Sequence, residues 1–65
     1  MIGTVWKMID PDVNQWVYVV LEPFSACVWT LLELNSGEQV RACVTDDPGK
    51  MELAGNRTPI HAYVP

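Results

Sequence analysis

The sequence predicts a mainly β domain, a small antiparallel barrel or curled sheet of five strands, of the size of SH3-like or OB-like barrels. Three observations carry this reading. Turn signals built on Gly, Pro, Asn and Asp recur at intervals of roughly ten residues and cut the chain into short segments. Those segments are rich in β-branched and aromatic residues, which fit a pleated surface. One of them alternates strictly between apolar and polar positions.

The segments are Ile2–Ile9, Gln15–Glu22, Cys27–Leu34, Glu38–Thr45, Lys50–Ala54 and Ile60–Val64. The turn signals between them are Asp10-Pro11-Asp12, Asn35-Ser36-Gly37, Asp47-Pro48-Gly49 and Gly55-Asn56, with Pro23 and Pro59 as further breaks. Gln15–Glu22 is the plainest strand, because it is almost entirely β-branched and aromatic. Its Val17, Val19 and Leu21 suit an interior, which leaves Trp16 and Tyr18 on the opposite side. In Glu38–Thr45 the residues Val40, Ala42 and Val44 share one face, and Gln39, Arg41, Cys43 and Thr45 the other.

Cys27–Leu34 has two readings. Ser25 could cap a helix and Gly37 end one, which would make the protein α+β with a helix at 25–34. A strand is favoured by its agreement with the following turn. If Asn35-Ser36-Gly37 is a three-residue hairpin loop with Gly37 at positive φ, Leu34 faces Glu38, Leu32 faces Val40, Thr30 faces Ala42 and Val28 faces Val44. That register gathers aliphatic side chains on one face. It throws Trp29 and Leu31 onto the other, beside Arg41 and Cys43, where Trp16 and Tyr18 would extend them. Trp16, Tyr18, Trp29, Leu31, Arg41 and Cys43 thus form a candidate interaction surface, since large exposed aromatics with Arg mark contact sites.

Composition narrows the classes. The chain has 65 residues, a net charge of −4, 49% hydrophobic and 18% charged residues, which suit one globular domain over 1–65. Four basic residues against eight acidic ones disfavour nucleic acid as a partner. The longest apolar run, Trp16 to Leu21, is six residues, far too short for a membrane-spanning helix. The first residues carry only Lys7 and no continuous apolar stretch, so the expectation is a cytoplasmic protein without a secretory leader. A domain this small buries only about 60% of its unfolded surface, so association is a plausible reinforcement.

Catalytic residues are not expected. The sequence has no nucleophile motif, phosphate loop or metal-ligand spacing, and neither a metal nor a cofactor is implied. Asp46 and Asp47 read as a solvated turn before Pro48-Gly49, and His61, the lone histidine, as a surface residue. Cys27 and Cys43 fall on one face but diagonally, too far apart for a bridge, so two free thiols are expected, as in a reducing cytosol. Asn56-Arg57-Thr58 matches the glycosylation triplet, but nothing else suggests secretion. The expected function is that of an acidic, non-catalytic interaction module or regulator binding another protein or a second copy of itself. Compact acidic chains of this kind are often regulators or inhibitors, sometimes from phage or mobile elements. The alternative is single-stranded nucleic-acid binding by base stacking on Trp6, Trp16, Tyr18 and Trp29.

Overall fold

Six strands are present in the computed structural model, which describes residues 1–8 and 16–63. They are β1 (Val5–Lys7), β2 (Val17–Pro23), β3 (Val28–Glu33), β4 (Gln39–Val44), β5 (Lys50–Leu53) and β6 (Pro59–Ala62). Each pairs antiparallel with the next, and β6 returns to β1 through Trp6↔Ala62 and Lys7↔His61. The result is a closed up-and-down barrel, in which closure leaves no long strand edge to pair with other chains. The expected small β-barrel is therefore present, with six strands rather than five. Residues 25–34 form no helix; β3 is hydrogen-bonded on both sides, to β2 and β4. The Asp10-Pro11-Asp12 turn signal and the segment ends Ile9, Gln15 and Val64 lie outside the described residues.

The β3–β4 register is one residue away from the expected one. Val28 pairs with Cys43, Trp29 with Ala42, Thr30 with Arg41, Leu31 with Val40 and Leu32 with Gln39. The loop has four residues, not three: the Glu33 N–H donates to the Glu38 carbonyl at 2.8 Å, and the Gly37 N–H donates to the Glu33 carbonyl at 2.9 Å. Gly37 takes the positive φ expected of it, +73°. The fourth loop residue is accommodated by Glu33, whose carboxylate accepts the N–H groups of Asn35 at 2.7 Å and Ser36 at 2.6 Å, and the Ser36 hydroxyl. The β5–β6 connection has the same length and the same closing hydrogen bonds, although its second residue, Gly55, takes a positive φ of 102° where Asn35 does not. The Leu53 N–H donates to the Thr58 carbonyl at 2.8 Å, the Arg57 N–H to the Leu53 carbonyl at 3.0 Å, and Arg57 has a φ of 58°.

A slip of one residue exchanges the two faces of a strand, and the core shows it. Trp6, Tyr18, Val20, Leu31, Ala42, Met51, Leu53 and Ile60 are buried, with Met8, Trp29, Val40 and Ala62 packed against them. In β4 Val40 and Ala42 are inward as expected, but Val44, expected with them, is 47% exposed at the strand's end. In β2 and β3 the expectation is reversed: Tyr18, Val20, Trp29 and Leu31 point inward, and Val17, Val19 and Leu32 outward. The lumen of six short strands holds few side chains, so bulky residues face small ones. Trp6 lies opposite Ala62, and Trp29 opposite Ala42. The Trp6 indole N–H donates to Thr4 Oγ1 at 2.9 Å, so this buried ring leaves no polar atom unpaired. Each fully buried aliphatic side chain contributes about 1.5–3 kcal/mol. The β2–β3 register shifts between Val20 and Glu22, a bulge that sets Glu22 against Thr30 and Pro23 against Trp29 at the strand's end.

Candidate binding pocket at the barrel mouth

In an up-and-down barrel every odd-to-even connection emerges at the same end. That mouth therefore gathers the β3–β4 and β5–β6 loops and the residues flanking the β1–β2 connection, Met8 and Trp16. The Met8 N–H donates to the Trp16 carbonyl at 3.0 Å and brings those two side by side. Between these elements opens a pocket of about 340 Å³. Its buried floor comes from strand ends: Tyr18, Glu33 and Leu53, with half-buried Val40. Its rim is Met8, Trp16, Ser36, Glu38 and Asn56.

Tyr18 and Glu33 are cross-strand partners on the inner face, each 4% exposed. Burial pushes the Glu33 carboxyl up, but the Ser36 hydroxyl and the Asn35 and Ser36 N–H groups together outweigh it and hold the group below its ordinary 4.5. Glu33 is therefore an anion at neutral pH. Burial first, and then the Glu33 charge, push the Tyr18 hydroxyl above its ordinary 10.0, so it stays neutral. The pocket thus joins aromatic and thioether surface to two carboxylates, Glu33 and Glu38, and among the described residues no Lys, Arg or His lines it.

The six residues expected to share one surface are dispersed. Trp16, 36% exposed, stands on the rim, and Tyr18 is buried in the pocket floor. Trp29 packs against the core and Leu31 is fully buried. Arg41 and Cys43 lie on the outer face, where the Arg41 guanidinium sits 3.9 Å from the centre of the Phe24 ring. The exposed aromatic strip does not exist, because the four-residue loop turns Trp29 and Leu31 inward while Arg41 and Cys43 stay outward. What the outer face carries instead is aliphatic: Val5, Val19 and Leu32 form a row across β1, β2 and β3. Leu34, 51% exposed, is bonded through its N–H to the Val17 carbonyl in the next row.

Cys27 and Cys43 are unpaired. The Val44 N–H donates to the Cys27 carbonyl, so Cys27 lies opposite Val44 and points to the other side of the ribbon from Cys43. This replaces the diagonal same-face placement with a geometry still less suited to a bridge. His61 is half-buried on the outer face, in cross-strand rows with Lys7 and Lys50.

Sequence reasoning missed Met8, Glu33, Ser36, Glu38, Val40, Leu53 and Asn56 as pocket residues. One local signal was available: a carboxylate just before Asn-Ser-Gly can accept the loop's N–H groups and so lengthen the turn. Among the described residues no group of His, Cys, Asp and Glu is placed to hold a metal ion, and no helix is long and apolar enough to cross a membrane. No family model matches the chain, and no curated protein or solved structure is significantly similar to it.

Proposed function

We propose that the chain is a non-catalytic binding module that engages a protein partner at the barrel mouth. The observation that carries this reading is the open pocket, which combines an exposed Trp16, a partly buried thioether and two carboxylates on a rigid closed barrel. Concave, largely apolar sites with a few fixed polar groups are where proteins take up ligand groups, and Trp and Tyr dominate binding energetics. A cytoplasmic setting suits the two unpaired thiols. The charge distribution argues against a single-stranded nucleic-acid ligand. Three of the four basic residues are engaged by the protein's own side chains, Lys7 3.9 Å from the Tyr63 ring centre, Arg41 over Phe24 and Lys50 3.9 Å from Asp47, and the pocket lining carries Glu33 and Glu38.

The test is a selection of short peptides from a random display library, followed by mapping of the bound peptide on the isotope-labelled protein by NMR. Selected peptides should shift the Trp16 indole and the Ser36 and Asn56 amides, and binding should vanish in Trp16→Ala. Shifts centred on Arg41 and Cys43, with Trp16→Ala binding normally, would place the contact elsewhere and refute the reading.

A second reading, self-association, is favoured by the outer row of Val5, Val19 and Leu32 beside exposed Leu34. Light scattering at high concentration decides it: Leu34→Lys should convert a dimer to a monomer, and a monomeric wild type would dismiss the idea.

A further inference from the structure

We infer that the mouth pocket selects a methylated ammonium group, the side chain of an N-methylated lysine on a partner protein, over a primary ammonium or a guanidinium. The inference rests on the pocket being the binding site, and three features of its wall carry it. The first is the sign of its charge. Glu33 and Glu38 line it, and among the described residues no cationic one does, Arg57 standing next to rim residue Asn56 in the β5–β6 loop. The second is the surface offered. The Trp16 and Tyr18 rings and the Met8 thioether line the same cavity, and ring faces attract a cation without needing hydrogen bonds, Trp most strongly.

The third feature discriminates among cations. Among the described residues, the Glu33, Ser36 and Asn56 acceptors on the wall are engaged by the protein's own loops, while the Glu38 carboxylate is exposed at the rim. The Glu33 carboxylate already takes two backbone N–H groups and the Ser36 hydroxyl. Ser36 Oγ also accepts the Glu38 N–H at 3.2 Å, and Asn56 Oδ1 accepts the Thr58 N–H at 2.9 Å. A primary ammonium brings three N–H donors and a guanidinium five, all of which lose water on entry and need acceptors. A trimethylammonium group brings charge and apolar surface but no donor. Of the three cations it best matches a wall whose described residues offer negative charge, aromatic and thioether surface and, apart from the exposed Glu38 carboxylate, acceptors already engaged.

Tetramethylammonium chloride is the probe, titrated at constant ionic strength into the labelled full chain and followed by NMR. Ammonium chloride and uncharged neopentyl alcohol serve as the two comparison probes. Tetramethylammonium should give saturable shifts at the Trp16 indole and at the Ser36 and Asn56 amides, with affinity falling about tenfold in Trp16→Ala and about threefold in Glu38→Gln. Both variants alter exposed side chains, so they keep the fold. Neopentyl alcohol binding as tightly as tetramethylammonium would overturn the inference while leaving the pocket as an apolar site. Equal competition by ammonium would overturn the selectivity in the same way. If no probe gave saturable shifts, the inference would fall, and the pocket reading would be decided separately by the peptide selection.

Discussion

Gly37 and Arg57 hold the same place, the fourth, in two loops of equal length, and both have positive φ. This equivalence gives a paired test. At Gly37 an added Cβ meets nothing within 4 Å, so any cost of Gly37→Ala comes from the residue's own backbone. An L-residue in the left-handed region costs about 1–2 kcal/mol. Replacing glycine also removes unfolded-state entropy, which returns about 0.4–1 kcal/mol. The net loss is about 1 kcal/mol, which lowers the Tm of a domain this size by about 4–8 °C. Gly37→Val should lose more, because a β-branched side chain resists positive φ further. Arg57→Gly runs the same arithmetic backwards and should gain up to about 1 kcal/mol, raising Tm by a few degrees. Thermal unfolding followed by circular dichroism reads both. A Gly37→Ala protein melting at or above wild type, together with an Arg57→Gly protein melting below it, would refute the left-handed conformation at the last position of both loops.

Further expectations follow from burial and charge. Leu31→Ala should cost about 2–5 kcal/mol and Leu32→Ala much less, because Leu31 is fully buried and Leu32 faces outward; denaturant titrations giving the reverse order would restore the alternative register. Against a total of roughly 3–10 kcal/mol for a chain of this length, the Leu31 variant should be close to unfolding. The Glu33 carboxyl titrates lower in the folded protein than in the unfolded one. Its stabilisation is therefore present above about pH 4.5 and lost as pH falls through the folded value. Glu33→Gln should accordingly lower Tm at pH 7 and flatten its fall below pH 4.5, and an unchanged acid limb would show that the carboxylate does not secure the loop. Alkylation without reductant should modify exposed Cys27 before half-buried Cys43 in the native protein and both in denaturant, which mass spectrometry resolves.

Much of the β architecture was legible locally. Turn signals at Asn35-Ser36-Gly37, Asp47-Pro48-Gly49 and Gly55-Asn56 delimit the strands, the positive φ of Gly37 follows from the loop it ends, and the inward face of β4 follows from Val40 and Ala42 standing against Gln39 and Arg41. These features depend on neighbours in sequence. The inward faces of β2 and β3 do not. Both of their faces are rich in large apolar residues, so alternation there is ambiguous, and a plausible three-residue loop resolved it the wrong way. Two facts decide it, one within the loop and one across the barrel. The Glu33 carboxylate binds the loop N–H groups and makes room for a fourth residue. The narrow lumen needs the bulk of Trp29 against Ala42 and of Trp6 against Ala62. The pocket lies further still from local pattern, because Met8, Trp16, Glu33, Glu38, Leu53 and Asn56 meet only once the barrel has closed. A chain of 65 residues shows which segments pair; which side of each strand turns inward is settled by the volume that six strands can enclose.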